Sequence, residues 1–135
     1  MIIGIGTDCC AMDRIASAIE RQGQPFLARV FTQAERAAGA KRPEPPLYFA
    51  RRFAAKEACA KALGTGINAR VRWLDIEILN GRNGRPTLHL AGGAHRQLIR
   101  MVPSGHQAVV HVTIADDPPL ALAFVILEAR CSPAT

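Results

Sequence analysis

Phe53-Ala54-Ala55-Lys56-Glu57-Ala58-Cys59-Ala60-Lys61-Ala62-Leu63-Gly64-Thr65-Gly66-Ile67 reads as the second half of a helix that stops at Gly64 and opens into a glycine turn. Glu57 and Lys61 lie one turn apart and therefore share a face. A Glu–Lys pair at this spacing is usually surface decoration, worth about 0.2–0.5 kcal/mol. Here it is surrounded by Ala54, Ala58 and Ala62, which let another backbone or a ligand come close, and this favours a functional role. A carboxylate and an ammonium beside a flexible turn can hold a metal and a phosphate.

Upstream, Lys41 to Pro46 is a charged, proline-rich loop, so Pro45 or Pro46 opens the long helix that runs through Leu63. Phe26 to Gly39 predicts one or two short helices, with Thr32 as an N-cap and Glu35 as its capping-box partner. Met12 to Arg21 has helical periodicity, with Met12, Ile15, Ala16 and Ile19 on its apolar stripe and Arg14, Ser17, Ala18 and Arg21 outside. Gly23 ends it. Ile2 to Thr7 predicts a strand ending near Asp8.

Downstream, Trp73 to Leu79 alternates as a strand. The Asn-Gly steps between Asn80 and Arg85 mark a hairpin into Thr87–Leu90. Ala94 to Met101 reads as a helix. Val109–Ala115 and Leu120–Leu127 read as strands joined at Asp116-Asp117-Pro118-Pro119. The order predicts an α+β fold, a mainly antiparallel sheet against a long helix, in one domain over residues 1–130 with a loose tail over 131–135.

At 135 residues and 49% apolar content the chain can bury a real core. Met1 to Gly6 carries no basic leader, and no run approaches the roughly 20 apolar residues that span a bilayer, which predicts a soluble cytoplasmic protein with no membrane partner. Lys and Arg number 17 against 11 acidic residues, for a net charge of +6. Such a surface attracts nucleic acid, anionic lipid, or an acidic protein or phosphorylated ligand. The four cysteines, Cys9, Cys10, Cys59 and Cys131, form no C-x-x-C pair. They read as reduced and structural, and a zinc site is only weakly supported.

Asp8 at the end of Gly4-Ile5-Gly6-Thr7 is a candidate ligand for a hard cation, although Gly-x-Gly-x-Asp alone equally describes a turn after a core strand. Gly64-Thr65-Gly66 gives backbone amides room to meet an anion, without the spacing of a Walker loop. Gly84-Arg85-Pro86 either holds a ligand or closes a hairpin, and His111 lies on an alternating strand.

These blocks occur together in one order: Gly4 to Asp8, Arg14-Ile15, Arg52 to Ile67, Asp75-Ile76-Glu77-Ile78, Asn83 to Pro86, and His111-Val112-Thr113-Ile114. Together they resemble the small bacterial type of 4′-phosphopantetheinyl transferase, the holo-[acyl-carrier-protein] synthases, from Ile2 to about Glu128. The resemblance implies that family's fold and a Mg²⁺-dependent transfer from coenzyme A to a serine of apo-acyl carrier protein in fatty acid biosynthesis. Adenosine 3′,5′-bisphosphate is released.

Under that resemblance Asp8 and Glu57 match the metal ligands and Lys61 the lysine near the pyrophosphate, these three being the catalytic set. Arg52, Thr65, Gly66, Pro86 and His111 fall where the family lines its coenzyme A pocket. Arg14 and Arg21, seven apart and thus on one stripe, lie on the face that grips the acidic carrier protein. The family assembles as homotrimers with sites between neighbouring subunits, and no nucleic acid is involved. One departure stands out: Cys9-Cys10-Ala11 follows the aspartate where relatives often carry an acidic residue, so Ala11 leaves fewer protein oxygens near the metal.

Two other readings compete. A ribonuclease-H-like nuclease also sets an aspartate on a first strand, but needs three or four clustered carboxylates, for which Asp116 and Asp117 are the available recruits. A basic nucleic-acid-binding module needs exposed aromatic platforms, and the chain has one Trp, one Tyr and five Phe.

Overall fold

Helix α4, Pro45–Ala62, runs through the middle of the molecule and is buried on nearly every side. The computed structural model describes residues 1–134. Around α4 the chain lays down β1 (Ile2–Ala11), α1 (Met12–Gln22), α2 (Gln24–Val30) and α3 (Gln33–Ala40) before it. After it come β2 (Ile76–Asn80), β3 (Pro86–Leu90), α5 (Gly92–Met101), β4 (His106–Asp117) and β5 (Leu120–Cys131). One antiparallel sheet has the order β1-β5-β4, and β2 and β3 form a separate antiparallel hairpin. The fold is α+β, antiparallel sheet on a long helix, as the sequence predicts. No helix among the described residues is long and apolar enough to cross a membrane.

Proline at its first turn starts α4, and Gly64, at φ +80°, ends it in a left-handed conformation that a side chain would resist. Two cations, Lys56 and Arg52, go inside with it. Lys56 is fully buried; its ammonium lies 2.7 Å from Glu35 Oε1 and donates to the carbonyls of Trp73, at 3.0 Å, and Ile76. Glu35 also accepts from the amides of Thr32 (2.9 Å) and Ile78 (3.0 Å). One ion pair therefore ties α3, α4 and β2 together, and its remaining hydrogen-bonding capacity is used, which a buried pair requires. Burial holds the Lys56 ammonium below the usual lysine range, opposed by Glu35. The Thr32–Glu35 capping box forms as predicted.

β1 crosses α4 at very short range. A Cβ on Gly4 would overlap the Ala62 carbonyl oxygen, and one on Gly6 the Ala58 carbonyl oxygen. The alanine face of α4 is thus answered by a backbone, the strand of Gly4 and Gly6. Phe26, Phe31, Phe49 and Phe53 are buried, so these rings are spent on the core, while Phe124 stays 39% exposed.

Several boundaries differ from the sequence prediction. β1 continues through Asp8 to Ala11, because β5 pairs with it as far as Leu120; Asp8 is inside a strand, paired with Ala123, and does not follow it. Trp73–Asp75 is a 3-10 turn and the strand begins only at Ile76. Lys56 takes the Trp73 carbonyl and the Asp75 carboxylate takes the Arg72 amide at 3.1 Å, which tightens the segment. β4 and β5 extend past their apolar cores, and Cys131 pairs with His106, so it belongs to the sheet and not to a loose tail. Thr135 lies outside the described residues.

Candidate active site

The residues facing α4 from β1 alternate, Gly4, Gly6, Asp8 and Cys10, as strand geometry requires. Because the two glycines bring the strand against the helix, Asp8 arrives beside the turn of α4 that carries Glu57 and Lys61. Lys61 Nζ lies 3.1 Å from Asp8 Oδ1 and donates to the Thr7 carbonyl at 3.1 Å. Lys61 thus pairs across to the strand and not along its own helix. The Glu57 carboxyl is half-buried, and its pKa is raised first by burial and then by the Asp8 charge, against the opposing effects of Lys61 and Arg14. A carboxylate that feels a second carboxylate in this way favours a cation beside it.

Arg14, from α1, stands 5.3 Å from the centroid of the Phe53 ring, one helical turn before Glu57. The same ring packs on Trp73, with centroids 4.9 Å apart. Arg21 is exposed in the last turn of α1, its Nε donating to the Ser17 carbonyl at 3.4 Å.

Beyond the end of α4, Gly66 has φ +65°. The amides of Thr65 and Gly66 both donate to the Ala60 carbonyl, at 3.3 and 3.1 Å, and the Thr65 hydroxyl donates to the Gly66 carbonyl at 2.8 Å. These amides serve as the helix cap, so they are not free to meet an anion as the glycine turn suggested.

The other predicted ligand-binding residues gather elsewhere. Arg52 precedes Glu57 by five residues, about 140° round the helix, and faces a different neighbour. It is buried, with its guanidinium 4.1 Å from the Tyr48 ring centroid and Nη2 2.9 Å from Asn80 Oδ1. Burial lowers its pKa and raises that of Tyr48. It lines a cleft of about 260 Å³ with Arg51, Asn80, Gly84, Pro86 and Asp116. Pro86 also borders a cleft of about 350 Å³ with Arg85, His111 and Thr113. His111 Nε2 is 2.7 Å from Glu128 Oε2, and Arg130 Nε donates to the same carboxylate at 2.9 Å, which holds Glu128 down at about 2. Asp8, Glu57 and Lys61 therefore form one group, and Arg52, Pro86 and His111 another.

Asp116 is paired with Arg51 at 2.7 Å, and no cluster of three or more potential metal-binding side chains occurs among the described residues. The carboxylate set that a nuclease needs is not assembled. The roles of Arg51 and Asn80 in the cleft were missed in the sequence; the doubled arginine Arg51-Arg52 was the available signal.

The family model for the 4′-phosphopantetheinyl transferase superfamily matches residues 4–123. The chain belongs to this superfamily. It is 57% identical over 129 residues to the holo-[acyl-carrier-protein] synthase of Methylobacterium nodulans, covering 96% of this chain and 98% of that protein. The corresponding Brucella ovis protein is 50% identical, with 96% of each chain covered. Among solved structures, the Neisseria meningitidis synthase superposes with a TM-score of 0.84 at 36% identity, covering 95% of this chain and 99% of that one. The Bacillus anthracis synthase, solved in complex with coenzyme A (3′,5′-ADP), superposes at 0.76 and 35% identity, covering 96% and 99%. Membership makes this protein a transferase, and the Asp8–Glu57–Lys61 group lies inside the matched residues.

Proposed function

We propose that this phosphopantetheinyl transferase moves the 4′-phosphopantetheine group of coenzyme A to a serine hydroxyl of apo-acyl carrier protein, as a cytoplasmic step serving fatty acid biosynthesis. The observation that carries the reading is the meeting of Asp8, Glu57 and Lys61 where β1 crosses α4, in a chain half or more identical to holo-[acyl-carrier-protein] synthases. The reacting unit is a single domain that runs through the end of β5 at Cys131.

Two hard carboxylates beside one another, from two rigid elements, suit Mg²⁺. Asp8 and Glu57 would hold it, and it would supply charge neutralisation at the pyrophosphate. In the transfer, the serine oxygen bonds to the β-phosphorus. The bond from that phosphorus to the bridging oxygen breaks, and adenosine 3′,5′-bisphosphate leaves. Phosphoryl chemistry of this kind depends on positioning and charge neutralisation. Lys61, 3.1 Å from Asp8, neutralises the leaving phosphate. The serine proton goes to Glu57 or to a water beside it.

Arg52, Pro86 and His111 serve the nucleotide end of coenzyme A, with Thr65 and Gly66 bordering the pantetheine side. Arg52 and Lys61 are about 14 Å apart along α4, on different faces, which fits a site completed by two subunits. The outward face of the β1-β5-β4 sheet supports that assembly: Ile5, Leu122 and Phe124 are 59%, 42% and 39% exposed there, and a continuous apolar face of this kind marks an interface. A homotrimer with sites between neighbours accounts for both. Arg14 and Arg21 attract the acidic carrier.

The test is mass spectrometry of apo-acyl carrier protein incubated with this protein, coenzyme A and Mg²⁺, beside an EDTA control. A metal-dependent gain of one phosphopantetheine arm is expected; no gain with folded protein and several carriers would overturn the assignment.

A further inference from the structure

On the outward face of the β4–β5 ladder, Glu128 stands between His111 and Arg130. Ile126 lies directly opposite His111, and Glu128 opposite Val109, so the imidazole and the carboxylate are diagonal neighbours on one face, within reach of each other. His111 Nε2 is 2.7 Å from Glu128 Oε2, and Arg130 Nε donates to Glu128 Oε1 at 2.9 Å. Each carboxylate oxygen thus has a partner of its own. Arg130 follows Glu128 by two residues along β5, which puts it on the same face.

The His111 side chain is 46% exposed, and exposed side chains change rotamer within nanoseconds unless something holds them. Here Glu128 holds the ring. An ionised carboxylate only accepts hydrogen bonds, so the contact requires a proton on Nε2, and Nδ1 is the one ring nitrogen left for another partner. Glu128 stays ionised near neutral pH, because the bond from Arg130 first and that from His111 second keep its carboxyl at about 2. The ring so fixed borders the cleft of about 350 Å³ that Arg85, Pro86 and Thr113 also line. Glu128 and Arg130 stand outside that lining, and they reach the cleft through His111.

We infer that Glu128 is a positioning residue for coenzyme A binding: it fixes the tautomer and orientation of His111 so that Nδ1 is presented to the cleft, and Arg130 keeps the carboxylate in place. The inference rests on the reading of His111 as a contact for the nucleotide end of coenzyme A. A ring free to turn spends part of its time in poses that miss the ligand, and ordering it on binding lowers affinity. The carrier-docking arginines belong to α1, so the effect is confined to coenzyme A.

The experiment compares Glu128→Ala, Glu128→Gln, Arg130→Ala and His111→Ala in the full-length enzyme, with KM measured separately for coenzyme A and for carrier. Glu128→Ala should raise the coenzyme A KM about tenfold and leave the carrier KM within about twofold. Glu128→Gln keeps one acceptor oxygen, so it and Arg130→Ala should fall between, at about threefold. In the double variant His111→Ala/Glu128→Ala the coenzyme A KM should match that of His111→Ala within about twofold, since an orienting group has no effect once its ring is gone. Nitrogen-15 NMR of the neutral His111 ring should show one tautomer, Nε2–H, in the wild type and an exchanging pair in Glu128→Ala. A coenzyme A KM within about twofold of wild type in Glu128→Ala, an equal rise in the carrier KM, additive effects in the double variant or an unaltered tautomer each overturn the inference. Should Glu128→Ala not fold, Glu128→Gln decides by the same readings. If His111→Ala raises the coenzyme A KM and Glu128→Ala does not, the role of Glu128 alone falls; if neither does, the placing of His111 at the nucleotide end falls too.

Discussion

Lys61 Nζ sits 3.1 Å from Asp8 Oδ1, joining the middle of the first strand to the last full turn of the central helix. The pair stands beside Glu57, and this arrangement of one cation and two carboxylates is where metal and pyrophosphate would meet. Asp8→Ala and Glu57→Ala should each lower transfer by about a thousandfold or more, with circular dichroism and melting cooperativity retained. Turnover near the wild-type rate in either variant would contradict their assignment as metal ligands.

Gly6→Ala places a methyl group against the Ala58 carbonyl, and because that oxygen belongs to a helix backbone it cannot move aside. Overpacking of this sort costs about 1–3 kcal/mol. The strand must lift off α4, so activity should fall with stability, although the substitution adds no charge and removes no catalytic group. Thermal melts of Gly6→Ala and Gly4→Ala beside wild type give the answer, and unshifted melting temperatures would show that the layers are not in contact.

Removing one partner of the Lys56–Glu35 pair leaves an uncompensated charge at a fully buried position. Lys56→Met and Glu35→Gln should each destabilise the fold by about 3–5 kcal/mol. Glu35→Gln keeps a carbonyl that can still accept one of the two amide bonds, so it should be the milder change. Urea unfolding with unaltered slopes tests both magnitude and order.

Arg14→Glu inverts the charge on the face nearest Glu57 while leaving coenzyme A contacts alone. It should raise the Michaelis constant for carrier about tenfold or more and change that for coenzyme A far less, with the difference shrinking as salt rises. Equal effects on the two constants would count against a docking role.

The Glu128 carboxyl is held at about 2, first by the hydrogen bond from Arg130 and then by that from His111. Its folded value is depressed below the ordinary 4.5, so its contribution to stability is present above that pH and is lost as pH falls from there toward 2. Carbon-13 NMR titration should find a midpoint near 2, and Arg130→Ala should raise it more than His111→Ala. A midpoint in the usual glutamate range would mean the network is not formed in solution.

Much of this was readable in advance because local chemistry decides it. Thr32 and Glu35 announce their cap, Pro45 and Gly64 bracket α4, and the Asp8, Glu57 and Lys61 motifs lie in the order the superfamily shares. What local signals miss is set by distant partners. Asp8 looks like the residue after a strand until β5 is known to run alongside it. Trp73 alternates like a strand residue, but Lys56, seventeen positions earlier, takes its carbonyl. The amides of Thr65 and Gly66 look free until Ala60 claims them both. Arg52 and Glu57 look like members of one site, and only the helical rotation between them separates the two groups.

Cys10 on β1 and Cys59 on α4 are buried thiols, pushed up by that burial to about 11 and about 12, whereas Cys9 and Cys131 are exposed. The protein therefore carries its own clock for separation of the first strand from the central helix. Under a brief pulse of alkylating reagent Cys131 records reagent access, and Cys10, on the face of β1 that meets α4, records only those molecules in which the layers have parted. The ratio of the two labelling rates measures how often the catalytic crossing opens, without a probe, a tag or a substitution.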